Sequence, residues 1–230
     1  MKSDLLIVIP AYNEEENIEN VVTFIREKYS QYDYVVVNDG SKDRTADICR
    51  QKGYELLNLP VNLGLAGAFQ AGLKYAYAKG YSYAIQFDAD GQHRPEFIEP
   101  MLERIKEGYD IVIGSRFVNL KKGNSLRMVG SKMITVAIKM TTGKRVSDPT
   151  SGMRMFSRDM IKEFAQNLNY GPEPDTVSYL LKNGARISEV PVYMEERQAG
   201  ESYLNLANSC KYMTKMLMSI LFVQNFRKRG

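Results

Sequence analysis

Two patterns of apolar positions alternate along the first half of the chain. Short uninterrupted apolar runs at residues 5–9 (LLIVI), 33–38 (DYVVVN), 54–59 (YELLNL), 83–87 (YAIQF) and 110–114 (DIVIG) predict strands. Runs this short, without polar alternation, belong to strands covered on both faces. Between them the apolar residues return at helical spacing. Ile18, Val21, Val22 and Ile25 follow Asn13, with Glu16 three positions on, the pattern of a capping box. Residues 66–77 predict a helix rich in small residues, opened by NLGLAG. Pro95 opens a helix carrying Phe97, Ile98, Met101, Leu102 and Ile105, and Gly108 ends it. Strands joined through helices need right-handed crossovers, so the pattern predicts an α/β fold with a mostly parallel sheet covered by helices.

Beyond residue 115 the pattern is less regular. Residues 115–146 read as a loop and a helix, GMRMFS (152–157) as a strand, and the stretch near 175–183 as a helix. ARISEVPVYMEER (185–197) reads as a strand whose proline suits a sheet edge. The C-terminal segment is helical in pattern, with Asn208, Lys211, Lys215 and Ser219 forming a narrow polar stripe. The chain therefore divides into a body, residues 1–203, and an amphipathic tail helix, residues 204–230.

Composition narrows the classes. Cys49 and Cys210 stand far apart with no C-x-x-C spacing, which argues against a disulfide framework or a zinc site and fits a reducing compartment. No apolar run approaches the roughly 20 residues of a membrane span, and the N-terminal run is too short for a signal peptide. A cytoplasmic location is expected. The net charge of +4 resides in the tail, where Lys211, Lys215, Arg227, Lys228 and Arg229 face no acid. The body is nearly neutral and lacks the basic stripe that a nucleic-acid partner needs.

The polar motifs fall at the predicted strand ends, the edge where open parallel sheets bind ligands. PAYNEE follows the first strand, NDGSKD the second, DADGQH the fourth and GSR the fifth. Asp88 and Asp90, two apart, suit a hard cation, Mg2+ or Mn2+, completed by substrate phosphates. A turn built of Asp and Gly explains the same composition. Asp39 is placed to accept a hydrogen bond from a base N–H, while Ser41 or Asp43 caps the next helix. Gly64, in a run of small residues, lets backbone approach a ligand; no Gly-Lys-Ser/Thr follows, so this is not a Walker loop. His93, the only histidine, is open to a structural or a catalytic reading. Neither cysteine has a base near it in sequence, so nucleophilic catalysis has no support. Arg116 follows a strand end and Arg197 precedes Gly200 and Ser202; their forks suit phosphate oxygens. Arg127 and Arg154 carry no local signal beyond a solvated charge. The tail reads either as a core-packing or dimer helix, or as an interfacial helix on a membrane or a membrane-protein partner. Its final Arg-Lys-Arg would favour anionic lipid.

Taken in order, IPAYNEEENI, VNDGSKDRT, NLGLAGA, FDADGQHRPE, GSR, DPTSGMRMF and EVPVYMEERQAGES resemble the motifs of family 2 glycosyltransferases, and within them the dolichyl- or polyprenyl-phosphate sugar synthases, over about residues 5–203. The resemblance implies a GT-A fold, a nucleotide-diphosphate sugar donor and a divalent metal. Carried over by position, Pro10, Ala11, Tyr12, Glu14 and Asp39 would hold the nucleotide. Asp88, Asp90 and Gln92 would form the metal and diphosphate site. Arg116 and Arg127 would grip the acceptor phosphate, Arg197 and Ser202 would close over the donor, and Asp148 would face the site without an assigned role. Asn38 stands where relatives more commonly carry aspartate, and Tyr203 where many carry lysine. The region from GPEPD to ERQAGESYLN resembles bacterial enzymes of cell-wall polysaccharide decoration. That implies undecaprenyl phosphate as acceptor, a UDP-hexose or UDP-N-acetylhexosamine as donor, inverting transfer, and a peripheral place on the inner face of the cell membrane. The rival readings are transfer to a saccharide hydroxyl with Asp148 or Asp175 as base, a nucleotide-sugar-binding subunit without turnover, and a nucleotidyltransferase.

Overall fold

The computed structural model describes residues 3–119, 123, 126–167, 171–194 and 206–226. Its strands are β1 (Leu5–Ala11), β2 (Asp33–Asp39), β3 (Leu56–Leu59), β4 (Tyr83–Gln86), β5 (Ile111–Ser115), β6 (Arg154–Ser157) and β7 (Ile187–Pro191). The helices are α1 (Ile18–Lys28), α2 (Thr45–Gln51), α3 (Gly64–Lys79), α4 (Ile98–Lys106), α5 (Leu126–Thr142), α6 (Arg158–Gln166), α7 (Pro174–Lys182) and α8 (Leu206–Leu221). Pro95 begins a 3-10 turn that runs straight into α4. Helix α6, capped by the Ser157 hydroxyl accepting from the Met160 amide, has no counterpart in the sequence reading.

The strands form one sheet in the order β3-β2-β1-β4-β6-β5-β7. Only β6 runs antiparallel to its neighbours β4 and β5; the other pairings are parallel. Strand β7, with Pro191, lies at the edge, where a missing N–H costs no ladder bond. Sequence order reverses between β1 and β4, which makes that gap the topological switch point where such sheets take ligands.

The unbroken apolar runs are explained by two covered faces. Leu6, Val8, Val35 and Val37 pack in one layer with α3, α5, α6, α7 and α8. Leu5, Ile7, Ile9 and Val36 pack in the other with α1, α2 and α4. A strand buried on both faces still alternates in space, but both sets are apolar, so the alternation leaves no trace in the sequence.

Two expectations are revised. Helix α1 begins at Ile18, one turn after the expected cap, and neither Asn13 nor Asn17 makes a side-chain cap bond. Asn13 instead sits in the left-handed region (φ 55°) and is tied to the loop after β2: its N–H donates to Ser41 Oγ at 3.0 Å, and its Oδ1 accepts from Lys42 N at 2.9 Å. Short polar side chains trade a local cap for another backbone partner when tertiary structure brings one near. In the tail, Ser219 does not share a solvent stripe with Lys211 and Lys215. It is buried and donates to Asp175 Oδ2 at 2.5 Å, whereas both lysines are exposed.

Helix α8 packs against α5 and α7, with Met213, Met216 and Ile220 buried in the same layer as Leu6 and Phe69. Tyr212 donates to Glu173, and the Gln224 amide donates to the Asp175 carbonyl. Among the described residues no helix is long and apolar enough to cross a membrane.

Candidate active site

The residues expected to hold a nucleotide gather where β1 and β2 end. Pro10 and Ala11 close β1 with Tyr12 next in the chain, and Ala11 pairs with Asn38 on β2. Asp39 is buried, and its Oδ1 accepts from Leu63 N at 2.7 Å. That contact pulls the loop before α3 over the end of β2. The approach is close enough that a Cβ on Gly40 would lie 2.7 Å from both Asn62 N and Val61 C, so only glycine fits there. Gly64 serves differently: a Cβ would meet open space, and it is the left-handed φ of 76° that favours glycine there. Glu14 is buried, with its N–H on Thr45 Oγ1 and its carboxylate accepting from Asn17. Asn38 uses its amide to donate to Asn58 Oδ1 at 2.6 Å across β2 and β3.

The DADGQH segment leaves the sheet after β4. Ala89 and Asp90 form a turn, and Gly91 has φ 75°. The segment is therefore a turn, and it carries both carboxylates. The Asp88 carboxylate is held from two sides. Oδ1 accepts from Gln86 Nε2 at 2.9 Å, and Oδ2 lies 3.6 Å from His93 Nε2. The Asp88 N–H donates to His93 Nδ1 at 2.8 Å, so in the neutral ring the proton resides on Nε2, facing the carboxylate. His93 is buried with its ring edge-on to Phe87, which makes it a positioning residue for Asp88. Gly152 completes the cradle, because a Cβ there would stand 2.8 Å from Asp88 Oδ2. Asp90 Oδ1 accepts from Gln92 N at 3.1 Å.

This donor set can be tested against a metal. Asp88 and Asp90 are partly exposed carboxylates on one turn. Among the described residues no group of three or more His, Cys, Asp or Glu forms a closed cage. Two carboxylates fit a hard cation that keeps waters and shares itself with phosphate oxygens; they do not fit a protein-enclosed structural ion.

A second charged centre follows β5. Arg116 Nε donates to Asp148 Oδ2 at 2.7 Å, Nη2 to Oδ1 at 2.9 Å, and its backbone N–H to Oδ2 at 3.1 Å. Asp148 is fully buried and also accepts from the Thr150 hydroxyl. Its loop is fixed from β7, where Glu189 accepts from the N–H groups of Ser147 and Asp148 at 2.7 and 2.8 Å. Arg116 remains partly exposed, an aimed cation at the ligand edge of the sheet. Asp148 and Asp175, the two carboxylates considered as bases, are both buried and committed to internal hydrogen bonds. Burial pushes the Cys49 thiol up to about 11, so it is no nucleophile at neutral pH.

Sequence reasoning passed over Arg154 as a solvated charge. It is buried, and burial lowers its pKa. Its Nε donates to Ser151 O at 2.8 Å, its Nη2 to Pro149 O at 2.7 Å and its Nη1 to Pro172 O. One guanidinium thereby joins the Asp148 loop to the loop before α7. The available signal was an arginine inside an otherwise apolar strand. Arg127 lies in the first turn of α5, but its side chain, like Arg197, Ser202 and Tyr203, lies outside the described residues.

Residues 6–164 match the family model described as Glycosyl transferase family 2. The chain is 29% identical over 224 residues to the polyprenol monophosphomannose synthase of Mycolicibacterium smegmatis, covering 92% of this chain and 84% of that one. It is 32% identical over 215 residues to the undecaprenyl-phosphate mannosyltransferase of Micrococcus luteus, covering 87% of each. The crystal structure of glucosyl-3-phosphoglycerate synthase from Mycobacterium tuberculosis with Mn2+, UDP-glucose and phosphoglyceric acid matches 100% of this chain and 82% of its own, with a TM-score of 0.72 and 19% identity, a likeness of fold. With its strand-end motifs, its reversal of strand order and this match across more than half its length, the chain belongs to glycosyl transferase family 2 and has the GT-A fold.

Proposed function

We propose that the protein transfers a sugar from a nucleoside diphosphate donor, UDP-linked, to a polyprenyl phosphate, undecaprenyl phosphate in a bacterial setting. The observation that carries this reading is the pair formed by Arg116 and buried Asp148. It presents an oriented cation at the ligand edge while leaving neither Asp148 nor Asp175 available as a general base. A hydroxyl acceptor needs such a base; a phosphate monoester is already anionic and needs a cation to place it. The names of the two relatives, which act on polyprenol and undecaprenyl phosphates, support the same acceptor class.

The nucleoside lies along the ends of β1 and β2, among Pro10, Ala11, Tyr12, Glu14 and Asp39, with the Gly64 loop beside it. Its diphosphate reaches the turn of Asp88, Asp90 and Gln92. A bound Mg2+ or Mn2+ would be held by Asp88 and Asp90 and would stabilise the negative charge developing on the departing diphosphate. The chain's own residues do the rest. His93 and Gln86 fix the Asp88 carboxylate, Arg116 and Arg127 hold the acceptor phosphate, and Arg197 and Ser202 close over the donor. An acceptor phosphate oxygen attacks the anomeric carbon from the face opposite the diphosphate. The new carbon–oxygen bond forms as the bond to the leaving oxygen breaks with its electron pair, and configuration inverts. A polyprenyl acceptor resides in a bilayer, so the enzyme works peripherally at a membrane surface, on the cytoplasmic face where nucleotide sugars are made. The product suits the decoration of cell-wall polysaccharide.

The test incubates the full chain and Mg2+ or Mn2+ with undecaprenyl phosphate and radiolabelled UDP- or GDP-sugars, then partitions label between butanol and water. Label in the organic phase, lost in Asp90→Asn, is the expected result. Nucleoside diphosphate released with label left in water would move the acceptor to a saccharide. Released pyrophosphate would mean a nucleotidyltransferase, and donor binding without product a binding subunit.

A further inference from the structure

Helix α5 is apolar on two sides. Ile134, Ala137 and Ile138 face the core, yet Val129, Met133, Val136 and Met140, spaced four, three and four residues apart, form a second stripe that is exposed, with Met140 76% accessible. A surface helix normally turns a polar face outward. Helix α8, packed against α5, adds exposed Met218 and Phe222, followed by Val223 and Phe226. The charged residues within these two segments of the chain are all of one sign. Lys132, Lys139, Lys144 and Arg145 on and after α5, and Lys211 and Lys215 on α8, are exposed. No acidic residue occurs in 126–147 or in 206–226.

We infer that the outward faces of α5 and α8 together form a docking surface for an anionic lipid bilayer, with α5 supplying the main apolar contact. Exposed apolar side chains flanked by lysines, without acids, fit lipid tails beneath anionic headgroups. Charge argues against a second copy as the occupant. A twofold contact sets a patch against itself, and here it would oppose basic side chains with basic side chains. The surface differs from a simple tail anchor, because α8 spends Met213, Met216 and Ile220 on the core. It also lies beside the reaction centre: Ser131 on the inner side of α5 is 3.2 Å from the Thr150 hydroxyl, which donates to Asp148, the partner of Arg116. Docking through α5 therefore brings Arg116 to headgroup depth, where a lipid phosphate resides; this last step rests on the proposed function, whereas the surface itself does not.

Sedimentation of the full chain with sucrose-loaded vesicles tests the surface. Binding is expected to vesicles of phosphatidylcholine containing phosphatidylglycerol, weaker to phosphatidylcholine alone, and reduced by salt. M133E/M140E changes two exposed side chains and is expected to lower binding by about tenfold or more. K139E/K215E, which leaves the apolar stripe intact, is expected to reduce the preference for phosphatidylglycerol. F24E, on α1 across the sheet, is expected to bind like wild type. The inference is overturned by no vesicle binding, by M133E/M140E binding like wild type, or by a wild-type dimer that M133E/M140E dissociates. Transfer to polyprenyl phosphate in detergent micelles is measured separately. Vesicle binding without transfer would sink the proposed function and leave the surface standing, and transfer without vesicle binding would do the reverse.

Discussion

Arg116 and Asp148 meet at two points, Nε at 2.7 Å from one carboxylate oxygen and Nη2 at 2.9 Å from the other, with the acid fully buried and the base partly exposed. Under the proposed function the asymmetry divides their work: the carboxylate aims and the guanidinium meets the acceptor phosphate. Asp148→Asn keeps the shape but removes the charge that orients the fork. We expect kcat/KM for the lipid phosphate to fall by about 10- to 100-fold, while the KM for the sugar nucleotide stays close to wild type. Steady-state kinetics with each substrate varied in turn would check this, and an equal effect on both substrates would contradict it. Asp148→Ala leaves a partly exposed guanidinium without its buried partner and is expected to cost about 1–3 kcal/mol of stability.

Gly152 and Asp88 offer a sharper test of the proposed metal-binding turn. The glycine does not have a left-handed backbone, so Gly152→Ala acts through the new Cβ alone, 2.8 Å from Asp88 Oδ2. Either the carboxylate or the loop must move. Transfer is expected to drop by about 100-fold, the scale of an ångström-sized misplacement, with a stability loss of only about 1–3 kcal/mol. His93→Gln removes the ring that receives the Asp88 N–H, and should raise the metal concentration needed for half-maximal activity. Unchanged metal dependence in both variants would remove Asp88 from the cation site.

Truncation before α8 tests whether the tail is separable from the body. Helix α8 buries Met213, Met216 and Ile220 and satisfies Glu173 and Asp175. Three buried side chains contribute about 5–9 kcal/mol at the usual 1.5–3 each, as much as the whole stability of many domains. A chain ending at residue 203 is expected to be insoluble or to lose its cooperative melting transition by circular dichroism. A soluble truncated chain with a normal transition would make the tail an independent appendage.

Stability should decline on the alkaline side. Burial raises the Cys49 thiol from 9.0 to about 11, and burial followed by the Glu99 hydrogen bond raises Tyr32 from 10.0 to about 12. Burial and then Glu55 do the same for Tyr75. Each group holds its proton more tightly when folded than when unfolded. Its contribution is therefore complete below the unfolded value and lost as pH rises from there through the folded one. The melting temperature is expected to be insensitive to these groups up to about pH 9 and to fall increasingly above it. Cys49 should also resist thiol reagents at pH 8 until the protein unfolds. A melting temperature constant to pH 11 would contradict this account.

The apolar runs of β1, β2, β4 and β5 were legible in sequence because strands covered on both faces have no polar positions to confuse the pattern. The motifs at their ends were legible because a parallel sheet delivers every C-terminal end to one edge, so order along the chain already implies proximity in space. What the sequence could not carry is the choice of partner for each polar group. Asn13 and Glu16 spell a helix cap, yet Asn13 bonds across to Ser41 and Lys42. Ser219 reads as a surface residue, yet it closes onto Asp175; Arg154 reads as a solvated charge, yet it joins two buried loops. Hydrogen bonds between groups tens of residues apart depend on which loops the fold has already brought together, and no local spacing encodes that. The sequence by itself determined the layered sheet and the edge at which its polar motifs gather. Tertiary structure alone decided that Asp148 aims Arg116, that His93 steadies Asp88, and that α5 rather than the tail alone turns an apolar face outward.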